Sequence, residues 1–377
     1  MNYAEEALRL HAQQKGKIVI GTKFTVETED DLAVAYTPGV GAVSMAIAED
    51  VSKSFELTNR INQVAIISDG SAVLGLGDIG PEAAMPVMEG KSLLFKKLAN
   101  IDAFPLCLGT KDPEQIVNIV KNLVPSFAGI NLEDIAAPAC FYIEKELSEI
   151  GIPVFHDDQH GTAIVTLAGL INGMKLTGKT VDSKVVVSGA GAGGIATARL
   201  LFDYGFKNIT LIDSKGIVCE QRTDLNEFKK AVLSFTNLNN AQGQTADAMK
   251  GSDIFIGLSQ GGIIDLDMIK SMNSDSIVFA MANPTPEIMP SEAAAGGAKV
   301  IGTGRSDFPN QINNSLVFPG VFRGLLDRRA TEVTTAMKLA AATAIASLIE
   351  NPTYDKIVPS TLDPRVVPVV SKAVISA

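Results

Sequence analysis

Two pairs of neighbouring carboxylates and one lysine are the first residues in this sequence that suggest chemistry. Glu133-Asp134 follows the apolar run Phe127–Ile130 closely, and Asp157-Asp158 follows Pro153–Phe155. Adjacent carboxylates repel and both favour water, so a core does not select them. At the ends of buried parallel strands they would open on one crevice, where a divalent cation or a lysine neutralises them. The simpler alternative for Asp157, Asp158 and Thr162 is a strand end followed by a helix N-cap. Three such carboxylates form a hard-oxygen set, suited to Mg²⁺ or Mn²⁺ rather than zinc. His156 and His160 are four apart, but no third nitrogen or sulfur ligand is in reach, since the remaining histidine is His11. They are therefore expected to be solvated or capping residues. Lys91 lies in an apolar segment just after Gly90. Desolvation there is expected to lower its pKa toward that of a usable base; the alternative is a surface lysine with a snorkelling stem.

The second chemical signal is Gly189-Ala190-Gly191-Ala192-Gly193-Gly194, set between the apolar run Val185–Val187 and a helix-like segment from Ile195 to Phe202. Glycines allow the tight turn and the close approach of backbone to a pyrophosphate, whose charge the helix N-terminus stabilises. Asp213 ends the next strand pattern and is spaced for the adenine ribose hydroxyls. It would repel a 2′-phosphate, which leans the reading slightly to NAD. Lys215 and Arg222, just beyond, could bind that phosphate and keep NADP open.

The elements that must hold these groups alternate. Apolar runs at Val64–Ile67, Ala103–Leu108, Phe127–Ile130 and Pro153–Phe155 are separated by helical patterns, one of which carries Lys91. The spacing predicts parallel strands covered on both faces. A helix from Gly161 to Gly178 connects to a second alternating region, with strands at Val185–Val187, Ile209–Ile212, Asp253–Ile256 and Ile277–Ala280. The expected fold class is therefore α/β. An N-terminal domain (1–160) precedes a doubly wound, Rossmann-like domain (161–345), and a helical segment (346–377) packs back on an earlier domain. Before the first strand, Tyr3 to Gln13 has amphipathic helical spacing, and Tyr36 stands at an element end before Pro38-Gly39.

Composition narrows the function. The chain has 377 residues, 46% hydrophobic, with a net charge of -10. Without a basic field, nucleic acid and anionic membranes are poor partners. Met1 to Leu10 carries two glutamates and no basic, apolar leader. The apolar stretch near Thr334–Ile349 is too short to span a bilayer. Cys107, Cys140 and Cys219 are sparse and odd in number, which fits buried thiols in a reducing cytoplasm.

Several motifs in this order resemble malic enzymes of the short bacterial type. They are Tyr36-Thr37-Pro38-Gly39-Val40, the Ser68 to Gly80 loop, Met85 to Lys91, Asn131 to Asp134, His156 to Thr162, the glycine motif, Ala282-Asn283-Pro284-Thr285 and Gln311 to Gly320. The resemblance runs from about Leu32 to Arg323. It implies oxidative decarboxylation of L-malate to pyruvate and CO₂ with reduction of NAD or NADP. Glu133, Asp134 and Asp158 match the family's metal ligands and Lys91 its base. Tyr36 matches the acid that protonates C3, and Asp157 the carboxylate that hydrogen-bonds the lysine. Asn283 and Asn314 match substrate and nicotinamide contacts. Larger relatives carry a malate-binding arginine where this chain has Ala72, so Ser71 and the loop backbone are the expected substitutes. A malolactic or oxaloacetate-decarboxylating enzyme would use the same site. A non-catalytic malate or dinucleotide sensor would be expected to lack Lys91, Tyr36 or a carboxylate. The resemblance also implies a homodimer or larger homo-oligomer, with site residues shared between subunits.

Overall fold

The computed structural model describes residues 2–73 and 75–377, and Leu74 of the Ser68 to Gly80 loop lies outside them. Two sheets organise the chain. The first is four-stranded: β1 (Gln63–Ser68), β2 (Asp102–Cys107), β3 (Gly129–Leu132) and β4 (Val154–His156), in the order β2-β1-β3-β4 and all parallel. Along β1 the side chains alternate between two cores. Val64 and Ile66 face Met88 and Phe95 of the helix Pro81–Ala99. Ala65 and Ile67 face Ile116, Val120 and Ile143 of the helices Pro113–Leu123 and Ala139–Glu146. Period-two alternation thus buries both faces, as β-geometry requires. β2 is the exception: it is an edge strand, half-buried throughout, and Pro105 is tolerated there because no further strand needs its N–H.

The second sheet has β5 (Val185–Ser188), β6 (Ile209–Asp213), β7 (Gly216–Ile217), β8 (Ile254–Gly257), β9 (Ile277–Ala280) and β10 (Val300–Thr303). Their order is β10-β9-β8-β5-β6-β7, parallel apart from the β6–β7 pair. It is a doubly wound arrangement whose strand order reverses at β5, where ligands characteristically bind. The short β7 and β10 were not apparent in the sequence pattern. β3 begins two residues later than the apolar run suggests, because Phe127 and Ala128 only lead into the sheet.

The helix Thr162–Thr177 joins the halves and ends at Gly178, whose φ of 69° closes it in the left-handed region. From Ala163 to Leu170 it is buried on all sides, with Thr166 the one polar side chain in that stretch. Its Gly169 packs against Phe279 and Ile312 of the second half. Phe95, Phe155, Phe318 and Phe322 form an aromatic group across the two halves, with Phe95 and Phe318 centroids 4.7 Å apart. The C-terminal helix Val366–Ser376 lays Val370 and Val374 against Gly320 and Gly324 of the helix Phe318–Asp327. The helix Thr335–Ser347 runs through the boundary expected at 345.

The N-terminal arm is built differently. Its helices Tyr3–Gln14, Glu29–Ala35 and Val40–Glu49 bury no residue. Glu29–Glu49 has the length and hydropathy of a membrane-crossing helix. Here it is two short helices broken at Tyr36-Thr37-Pro38, with Glu29, Asp30 and Asp31 in its first turn.

Candidate active site

Register places the acids. In the parallel first sheet Ile67 pairs with Leu132, and Leu132 with His156. Glu133 and Asp157 therefore leave the same sheet edge side by side. Lys91 reaches them from the middle of the helix Pro81–Ala99, only 8% exposed and with its ammonium over the Phe318 ring at 4.3 Å. Lys91 Nζ donates to Asp157 Oδ2 and lies 2.7 Å from Glu133 Oε1. Asn131 donates to the other Glu133 oxygen at 2.9 Å, and the Asp134 N–H donates to Asp158 Oδ2 at 2.7 Å.

Glu133, Asp134 and Asp158 present one oxygen each within 4.8 Å of one another. Burial drives the Glu133 and Asp157 carboxyls up to about 7 and Asp158 up to about 6, with Lys91 opposing only in part. Carboxylates this reluctant to ionise lack enough positive charge nearby. An all-oxygen donor set of that kind fits Mg²⁺ or Mn²⁺ and not a soft metal. Burial was expected to lower the lysine's pKa. It does oppose the charge on Lys91, but Asp157, Glu133 and Asp158 outweigh it and raise the pKa above its ordinary range. That expectation is corrected: the uncompensated cluster holds Lys91 protonated.

The histidines are also corrected. Neither stands free in solvent, although His160 is only half-buried. His156 is fully buried, and burial lowers its pKa to about 4. His160 pairs with Glu144 and faces the Lys338 ammonium, while Gln159 donates to the other Glu144 oxygen at 3.0 Å. These contacts hold the wide helical turn Asp157–Gly161, so Glu144 and Lys338 support the site. The carboxylate of Glu144 carries no local sequence signal, because its partners lie 15 residues and more away.

The dinucleotide loop meets this turn. Gly189 has φ 111°, and a Cβ at Gly194 would collide with the Gly189 carbonyl. A Cβ at Gly193 would come within 3.1 Å of the Asp158 carbonyl oxygen. The residues Gly189 to Gly194, with Ala190 and Ala192 between the glycines, thus lie directly beside the acidic turn. Asn314 stands beside Asp157 and Gly161. Asn283 precedes a cis Pro284, and its carbonyl oxygen approaches Gly75 of the Ser68 to Gly80 loop. Glu287, buried and unmarked in the sequence, accepts from Ser259 N at 2.8 Å and Ala282 N at 3.0 Å, tying the ends of β8 and β9 together.

Three expected residues differ from their assigned settings. The Ser71 hydroxyl is engaged: it donates to Asp69 at 2.6 Å and accepts from Ala136 N at 2.9 Å. Asp213 is not open to ribose hydroxyls, because Arg222 holds it bidentately at 2.7 and 3.0 Å and Lys229 donates at 2.6 Å. Tyr36 is 67% exposed on the arm, and among the described residues no hydrogen bond joins it to the Lys91 cluster.

Comparison with known proteins identifies the family. Residues 13–148 match the family model of the malic enzyme N-terminal domain, and 159–374 that of the malic enzyme NAD binding domain. A bifunctional malic/malolactic enzyme from Bacillus subtilis is 53% identical over all of this chain and 93% of its own length. An NAD-dependent malic enzyme from Geobacillus stearothermophilus is 52% identical over all of this chain and 79% of its own. The crystal structure of an NAD-dependent malic enzyme from Thermotoga maritima superposes with a TM-score of 0.95 at 48% identity, covering 98% of each chain. With both domain models matched in order and the acids, lysine and glycine loop side by side, the chain belongs to the malic enzyme family.

Proposed function

We propose that this chain oxidatively decarboxylates L-malate to pyruvate and CO₂, reducing NAD or NADP in a metal-dependent reaction. The observation that carries the reading is the buried Lys91 between Asp157 and Glu133, beside a hard-oxygen triad and against the dinucleotide loop.

Glu133, Asp134 and Asp158 would hold the metal. When bound, Mg²⁺ or Mn²⁺ supplies Lewis-acid polarisation at the substrate's C2 oxygen, and the nicotinamide supplies the hydride acceptor. Once Glu133 and Asp158 are neutralised, the pull that keeps Lys91 protonated weakens. Asp157, in contact with Lys91 Nζ, is the group placed to receive its proton. Neutral Lys91 then accepts the malate hydroxyl proton as hydride leaves C2. Asn314 and Asn283 orient substrate and nicotinamide. Phe318 and the aromatic group around it keep water from the lysine.

The acid that protonates C3 is Tyr36. In a single chain it sits on an arm that buries nothing and exposes Val19, Ile20, Phe24, Val34 and Met45. An apolar surface of this extent calls for a covering partner. A homodimer or larger homo-oligomer supplies it, with Tyr36 of one copy serving the Lys91 cluster of another. Mixing Lys91→Ala with Tyr36→Phe chains should then restore part of the activity that each lacks alone; no recovery would place both residues in one chain. The cytoplasm is the proposed location.

The decisive assay follows reduced-nicotinamide absorbance with L-malate and Mn²⁺, with NAD and NADP run separately and EDTA as control. EDTA-sensitive reduction with matching pyruvate is the expected result. The Bacillus subtilis relative is named for malolactic activity as well. Lactate without net reduction would favour that reaction at the same site.

A further inference from the structure

Asn283 lies just beyond β9, and a charged side chain holds the backbone on each side of it. Before it, Ala282 N donates to Glu287 Oε2 at 3.0 Å. After it, the Pro284 carbonyl accepts from Arg305 Nη1 at 3.2 Å. Asp307 aims that guanidinium, accepting from its Nε and Nη2 at 2.9 and 2.6 Å, and Arg305 N donates to Thr303 Oγ1 at the end of β10. Gly304 packs so closely on Asn283 that a Cβ there would lie 2.6 Å from Asn283 Nδ2. Glu287 is fully buried, and among the described residues no cation pairs with it. Burial pushes its pKa up, and its partners are the Ala282 N–H and the N–H and hydroxyl of Ser259. A buried carboxylate without a cation costs stability. What its two oxygens supply is a fixed spacing between the ends of β8 and β9, with one backbone donor on each. Ser259 Oγ in turn meets Ser188 Oγ at 3.0 Å, beside the glycine turn.

We infer that Glu287 and Arg305 are positioning residues for Asn283: they fix the backbone before and after it, so that its amide meets the substrate in one orientation. This rests on the reading that Asn283 orients the substrate.

The test is a pair of double-mutant cycles on kcat/KM for L-malate, with Mn²⁺ and whichever of NAD and NADP the parent reduces faster. Glu287→Gln keeps one oxygen but turns an amide NH₂ toward the other backbone donor, and should lower kcat/KM by about 10–100-fold. Arg305→Gln, at a partly exposed position, should lower it by about fivefold, the size of one hydrogen bond. In the Asn283→Ala background each should cost less than about twofold, because the residue they position is gone. A general loss of stability would cost the same in both backgrounds. Calorimetric binding of tartronate, a hydroxy diacid one carbon shorter than malate, to the Mn²⁺–NADH complex should weaken in the same order. NADH binding and the Mn²⁺-induced rise in thermal midpoint report a folded chain with its metal site intact. A folded single variant with kcat/KM within about twofold of the parent overturns the inference alone, as does a loss undiminished in the Asn283→Ala background. Tartronate affinity unmoved in both variants overturns it too. If Glu287→Gln fails to bind NADH, the Arg305 cycle decides. An Asn283→Ala chain with parental kcat/KM overturns the reading of Asn283 and the inference with it.

Discussion

Two charged clusters in this chain are made of the same ingredients and behave oppositely. Around Lys91, buried carboxylates outnumber the single ammonium, and Glu133, Asp157 and Asp158 are driven up toward neutral pH. Around Asp213, cations outnumber carboxylates near the surface. Burial opposes ionisation of Asp213, but its hydrogen bonds from Arg222 and Lys229 carry its pKa below the usual range. Asp224, exposed and paired with Arg222 and Lys215, is also lowered. The balance of charge and water decides what each cluster still lacks. The first lacks a cation, whereas the second already pairs its carboxylates with cations.

The largest effect should come from removing the one cation of the first cluster. Lys91→Ala is expected to lower kcat by about 10²–10⁴-fold, the range for a general base, while NADH affinity survives. Steady-state rates with an NADH titration check this, and near-normal turnover would remove Lys91 from the base role. Next, Mn²⁺ at about 100 times its dissociation constant should stabilise the parent by about 2.7 kcal/mol. Asp158→Asn should lose most of that gain in thermal unfolding. A full Mn²⁺ response in this variant would break the assignment of the triad.

The clusters should also differ in the sign of their pH dependence. Glu133 and Asp157 have folded pKa values of about 7, above their ordinary 4.5 and 3.8. Between those values the folded state binds more protons, so the metal-free protein loses stability as pH rises through the window. Asp213 is depressed, so its contribution is present above the ordinary carboxyl value and is lost on acidification. Thermal midpoints in EDTA should therefore fall from about pH 4.5 toward pH 7, with buried His156, lowered to about 4, offsetting part of the trend below its ordinary value, and Mn²⁺ should reverse it. A flat profile in EDTA would mean that the acids are better compensated than their surroundings indicate. The smallest effect concerns folding in the second cluster. Lys229→Gln removes a partly exposed ion pair and should change stability by less than about 1 kcal/mol. A larger loss would make the cluster a structural clamp.

Much of this was readable before the structure. The glycine turn, the strand-terminal acids and the alternating runs depend on local chemistry: φ freedom, charge repulsion and period-two burial. Lys91 was legible as a residue but not in its charge state, because the three carboxylates that set it come from loops 42 to 67 residues away in sequence. The histidines were misplaced for the same reason. Spacing showed that they lack a third zinc ligand nearby, but not that Glu144 and Lys338 would hold His160 between them. Ser71 was legible as a loop hydroxyl and Asp213 as a strand-end carboxylate, yet whether a polar group is free depends on every donor that folding brings to it.

The sequence by itself determined the alternating α/β order, the dinucleotide turn and the stock of acids, since these follow from neighbours a few residues apart. Tertiary structure alone decided which acids share one crevice, which are already neutralised, and that Tyr36 rides on an arm burying nothing. The reason is physical: backbone preference and periodicity act over one or two turns of chain. Desolvation and Coulomb energy instead depend on distances through space that only packing sets.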